Sequence, residues 1–158
     1  MKVIFEKGKK LLSVVEAGFS CAADIPMLTL KAGSRRRTNI ARTIPGNFPY
    51  DPAPFPNGKW FIHELRERHD KYRAPWYIAT NAYQTVETWE VSSESGELAY
   101  VKPSGRKVID AEYGIHFSEH PTTQGCIKVL KREDLEALVE ILRPAIVARE
   151  KISLEVKD

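Results

Sequence analysis

The sequence predicts a mainly β (α+β) protein with a single late α-helix, and three observations carry that expectation. Trp76–Thr80, Thr85–Val91 and Leu98–Val101 are rich in β-branched and aromatic residues in alternation with others, the pattern of half-buried strands. Ten prolines and nine glycines, concentrated in the first two thirds of the chain, favour turns over long helices. Only the segment Arg132–Leu142 has helical spacing, with Leu135, Leu138, Val139 and Leu142 on one face.

The remaining elements follow in order. Lys2–Phe5 and Leu11–Val15 read as strands around the charged turn Glu6–Lys10, a hairpin by composition. Ile25–Leu30 is the next strand expected. Lys31–Asn57 is dense in Gly, Pro, Asn and Arg and reads as a long surface loop, with Arg35–Arg37 either solvated or available to anions. Lys59–Ile62 reads as a strand. His63–Arg73 is so charged that it suits a short exposed helix or a loop, with His63 and His69 as surface residues. Ser92–Gly96 and Lys102–Gly105 read as turns. Pro144 is expected to end or kink the helix, and Lys151–Val156 to close the chain as a strand. No repeat or linker interrupts the pattern, so residues 1–158 are expected to form one domain.

Composition narrows the function classes. With 42% hydrophobic and 28% charged residues the chain is ordinary for a globular protein. Its net charge of +3 is too small to imply nucleic acid, though it does not oppose an anionic surface. No run approaches the length of a membrane-spanning helix, and the charged start Met1–Lys10 carries no visible secretory signal. Of the two cysteines, Cys21 reads as a small buried hydrophobe.

Chemistry concentrates in Glu112–Leu130. Tyr113, Ile115 and Phe117 alternate with Gly114 and His116, so a strand here buries the first set and exposes His116 on the other face. Ile127 and Val129 alternate in the same way after Cys126. Fully extended, ten residues would part His116 and Cys126 by roughly 33 Å; Pro121 and Gly125 are the points at which the chain can fold back. A thiol becomes a strong nucleophile when an imidazole takes its proton, so a Cys126/His116 pair in contact would be an acyl-transfer site. The Gly125 and Cys126 amides are candidates to face an oxyanion. His120 is a rival base. Thr122 and Thr123 suit either substrate contact or turn stabilisation.

The run Ile115-His116…Thr122-Thr123-Gln124-Gly125-Cys126-Ile127-Lys128 resembles the His-Gly…Ser-x-Gly-Cys-[Ile/Val]-Arg signature of YkuD-type L,D-transpeptidase catalytic domains. Its short His-to-Cys interval is most similar to the type VI secretion L,D-transpeptidase/L,D-carboxypeptidase effectors. Pro54–Ile62 is similar to the Pro-x-Gly-x-aromatic segment that precedes that catalytic part. The resemblance implies a β-sandwich or mixed-sheet catalytic domain and a cysteine acyl-transferase acting on peptidoglycan stem peptides, with no cofactor. It implies Cys126 as nucleophile, His116 as base with its tautomer held by a carbonyl near Phe117, and Gly125, Phe117, Thr123, His120 and Lys128 around oxyanion and substrate. Phe117 stands where the family has Gly, and Lys128 where it has Arg. An effector role implies action in a periplasm, a secretion apparatus and an immunity protein as partners, and neither nucleic acid nor stable membrane insertion. A housekeeping or phage wall enzyme would use the same site.

Two other readings stand beside this one. His116-Phe-Ser-Glu119-His120 matches the inverted zinc-hydrolase motif His-x-x-Glu-His, and Cys126 could complete a His116/His120/Cys126 site. That motif needs a helix, which Gly114 and Pro121 oppose. A non-catalytic wall-binding module using the Pro-rich loop would not need Cys126 at all.

Overall fold

A computed structural model describes residues 1–37, 43–44, 48–68, 76–94 and 97–158. Eight strands close into a barrel: β1 (Lys2–Glu6), β2 (Leu11–Val14), β3 (Phe19–Asp24), β7 (Gly58–Glu67), β8 (Trp76–Thr80), β11 (Gly114–His116), β12 (Ile127–Val129) and β13 (Ile152–Lys157), in the order β1-β13-β7-β8-β11-β12-β3-β2. β1/β13 and β11/β12 pair in parallel, and every other neighbouring pair is antiparallel. The sheet is therefore mixed, and it closes on itself instead of forming a sandwich. β4 (Arg35–Arg37) joins the long hairpin β9 (Gln84–Glu94) and β10 (Glu97–Asp110) in a second sheet, and β5 (Thr43–Ile44) pairs with β6 (Phe48–Pro49).

Alternation builds the barrel core. Val3, Phe5, Leu12, Val14, Ile78, Ile115, Ile127, Val129, Ile152 and Leu154 all point inward and are buried. An eight-stranded barrel is just wide enough to be filled by such side chains. The helix α1 (Arg132–Val147) packs against β7, β8 and β12, and Leu135, Leu138, Val139, Leu142 and Ala145 join the same core. Each buried Leu or Val contributes about 1.5–3 kcal/mol, so this stripe fixes the helix more firmly than its N-terminus does, where Lys131 supplies no side-chain cap.

Several expectations are corrected. The strand expected over Ile25–Leu30 is instead Phe19–Asp24, while Met27 makes only a single bridge to Thr123. Small Cys21 and Ala23 are the inward residues of β3, which hides its strand pattern. The loop Lys31–Asn57 contains β4, β5 and β6, and Arg35–Arg37 is a strand paired to Glu97–Ala99. β7 runs through His63 to Glu67, so this part of the charged run is neither helix nor loop: hydrogen bonding to β8 holds it extended, with Leu65 packed against the core and the charged side chains on the exposed side. His63 is exposed; His69 lies outside the described residues. Lys102–Gly105 is an irregularity within β10, stitched by Thr88 Oγ1 to Ser104 Oγ at 2.6 Å, and not a turn between strands. Of the turn expected over Ser92–Gly96, Ser92–Glu94 is instead the end of β9, paired to Glu97–Ala99, and the rest lies outside the described residues. Pro144 does not end α1, which continues to Val147.

Candidate active site

Because the barrel interior is filled, a ligand has room only outside it. β8, β11 and β12 are neighbours, and their register sets Tyr77, His116 and Lys128 in one row. Each flanks an inward residue, Ile78, Ile115 or Ile127, so all three belong to the outer face. Cys126 precedes Lys128 by two residues and shares that face. Strand spacing and rise put the His116 and Cys126 Cα atoms roughly 8 Å apart. The parallel pairing of β11 with β12 is the fold-back that Pro121 and Gly125 suggested.

Both side chains line one cleft of about 630 Å³, together with Tyr77, Arg66, Arg68 and Glu112. They are 7% and 8% exposed, so His116 is on the expected face but is walled in, whereas strand parity alone suggested that it would be exposed. Cys126 packs with Tyr77 and Ala79, apart from the main core, whereas Cys21 sits inside that core. Burial, with Asp134 adding to it, pushes the Cys21 thiol up to about 11, so it stays protonated and inert.

His116 Nδ1 lies 3.2 Å from the Phe117 carbonyl oxygen. A carbonyl can only accept, so Nδ1 carries the proton and Nε2 is left as the basic nitrogen. The Cys126 thiol points to the Glu112 carbonyl, 3.7 Å away. Tyr77 is the participant that the sequence reading missed. Its ring stacks near His116 with centroids 6.3 Å apart, and the side chain packs against Cys126. Burial above all, and then the neighbouring Cys126, hold its phenol well above the usual tyrosine range, so the hydroxyl remains a donor.

The other expected site residues are placed as follows. Thr123 Oγ1 donates to the Cys126 carbonyl at 3.0 Å and accepts from Gly125 N–H at 3.3 Å, so its hydroxyl stabilises the turn. That bond engages one of the two amides expected to face an oxyanion. Gly125 has φ +120° and admits the chain's own Ala53 carbonyl, where a Cβ would collide, and not a substrate. Lys128 Nζ donates to the His120 carbonyl at 2.7 Å and ties the Phe117–Gly125 connection down; Lys128 does not line the cleft. His120 is exposed on the rim, its own N–H bonded to Ser118 Oγ. Phe117 is half-buried beneath Arg132. Thr122 lines the cleft.

The Pro54–Ile62 segment supports the site from behind. Phe55 is fully buried against Tyr113, ring centroids 5.4 Å apart, and Gln84 Nε2 donates to both the Pro54 carbonyl and Tyr113 Oη at 2.7 Å. The chain leaves β11 after His116 without forming a helix, so His116 and His120 do not share a helical face. Among the described residues no three His, Cys, Asp or Glu side chains are grouped to hold a metal ion.

Compared with family profiles, with curated proteins and with solved structures, the chain gives no match in any of the three.

Proposed function

We propose that the cleft is the active site of a cysteine acyl-transferase acting on peptidoglycan stem peptides, as an L,D-transpeptidase, an L,D-carboxypeptidase or both. One observation carries the chemistry: Cys126 and His116 share the outer face of a parallel strand pair and one cleft, with His116 Nδ1 tied to a carbonyl. The substrate class rests on the resemblance of Ile115–Lys128 to that family.

The step balances without a cofactor. His116 Nε2 takes the thiol proton as Cys126 Sγ attacks the carbonyl of the third, diamino-acid residue. The oxyanion meets the Tyr77 hydroxyl and the Cys126 amide, since Gly125 N–H is engaged by Thr123. The C–N bond then breaks, His116 returns its proton to the leaving D-alanine amine, and a thioester remains. Water, or the amine of a D-amino acid or second stem, attacks that thioester while His116 accepts its proton, and the thiol is restored.

An antibacterial effector role, with action in a periplasm, a secretion apparatus and an immunity protein, extends this reading and rests on the short His116–Cys126 interval. Among the described residues no helix is long and apolar enough to cross a membrane. Toxicity on periplasmic but not cytoplasmic expression is the outcome expected of an effector.

The test is incubation with purified tetrapeptide muropeptides, with products read by mass. D-Alanine release or exchange is expected from the native chain and none from Cys126→Ala. Absence of both reactions, or retention by Cys126→Ala, would overturn the proposal; retention is also what a non-catalytic binding module predicts for its binding.

A further inference from the structure

We propose that Arg66 and Arg68 form a subsite that holds a carboxylate of the substrate beside Cys126; the inference rests on the acyl-transfer reading above. Both arginines come from the outer half of β7 and its end, two residues apart and therefore on one side of the chain, and both line the cleft that holds Cys126. Among the described residues, the one other side chain lining the cleft with a formal charge, histidines taken as neutral, is Glu112.

Tyr77 fixes where that charge sits. Its residue lies opposite Arg66 in the β7/β8 register, and its ring lies 4.0 Å from the Arg68 guanidinium carbon and 5.8 Å from that of Arg66. The same side chain packs against Cys126. The cations are thus held one tyrosine ring away from the sulfur, the reach of a carboxylate a few bonds from the attacked carbonyl. A guanidinium pre-oriented on an aromatic face suits this task, because its planar fork matches a carboxylate and little rotamer freedom is lost on binding. Arg66 is bonded to Glu64 through Nε at 3.0 Å, but both side chains are about half exposed and that pair is screened. Lys128, the cation nearest Cys126 in sequence, is committed to the His120 carbonyl outside the cleft.

Two substrate groups share this chemistry: the free carboxylate of the leaving amino acid, and a side-chain carboxylate on the acyl donor. The experiment begins with the thiol itself. Alkylation of Cys126 in the full chain by anionic iodoacetate and by neutral iodoacetamide is followed by peptide mass, in the native protein and in Arg66→Gln, Arg68→Gln and the double variant. The iodoacetate-to-iodoacetamide rate ratio should fall by about tenfold in the double variant, and Arg68→Lys should retain most of it. An unchanged ratio overturns the subsite. Because this arm needs no stem-peptide turnover, it is decided even if the peptidoglycan reading fails.

The second arm uses tetrapeptides with both carboxylates free, with the C-terminal one amidated, or with the side-chain one amidated. On the free peptide the double variant should raise KM about tenfold or more with kcat little changed. The amidated peptide whose KM no longer responds to the arginines identifies the carboxylate held. Equal losses on all three peptides overturn the proposal.

Discussion

Gly114 is empty of side chain where the Tyr77 ring crosses it: a Cβ built there would overlap Tyr77 Cζ and lie 2.5 Å from its hydroxyl oxygen. The register that pairs Ile115 with Ile127 sets Gly114 beside Cys126, so the missing side chain is the gap through which Tyr77 reaches the sulfur. Gly114→Ala should therefore push the ring out of the site and cost about 1–3 kcal/mol by overpacking. Thermal unfolding should show the loss, and Cys126 alkylation kinetics should change with it. Unchanged stability and unchanged alkylation would mean that the ring moves aside freely and has no part in the site.

Cys21 gives the fold a pH limit on the alkaline side. Its thiol, ordinarily near 9.0, is pushed up to about 11 by burial among the barrel residues, with Asp134 of α1 adding to the shift. Between those values the folded chain keeps a proton that the unfolded chain has lost. Stability is then fully present below about pH 9 and falls as pH rises through about 11. Denaturant melts across that range should show the decline, and Cys21→Ala should flatten it. A slope identical in the variant would assign the loss to other groups, Tyr77 first among them.

Arg149 ends α1 in the left-handed region, with φ +55°. Its N–H donates to the Ile146 carbonyl at 3.1 Å, and Glu150 N–H to the Ala145 carbonyl at 2.9 Å, the paired bonds of a Schellman ending. Glycine is the residue that holds this conformation without a Cβ penalty. Arg149→Gly should stabilise the chain by roughly 0.5–1 kcal/mol, seen as a Tm rise of a few degrees. A fall in Tm would show that the arginine side chain contributes more than the strain removes.

The sequence was most informative where period and burial agree. Ile78, Ile115, Ile127 and Leu154 face the core as alternation demands, and Leu135, Leu138 and Leu142 as helical spacing demands. It misled where backbone pairing outweighs composition, as in the charged half of β7, which stays extended because β8 bonds it. Pro144 illustrates another limit: Leu142 and Ala145 are buried on either side of it, and that packing carries the helix past a residue that removes one hydrogen bond. The His116–Cys126 spacing was legible, because a ten-residue return with Pro121 and Gly125 has few ways to run. Tyr77 and the arginines were not, since they come from β8 and β7 and meet the cysteine only through barrel register.

Tyr77→Phe separates what the tyrosine contributes by its hydroxyl from what it contributes by its ring. The phenyl ring keeps its place over Gly114, beside His116 and beneath Arg68, so Tm should change little. Only the hydroxyl beside Cys126 is lost. With Gly125 N–H engaged by Thr123, the hydroxyl is a donor proposed for the oxyanion, and removing one such donor typically lowers kcat by about 100–1,000-fold. Turnover of the tetrapeptide by Tyr77→Phe should fall on that scale with KM nearly unchanged, because the donor acts on charge that appears only in the transition state. A wild-type kcat in Tyr77→Phe would return the oxyanion to backbone amides alone, and would require Thr123 to release Gly125 during the reaction.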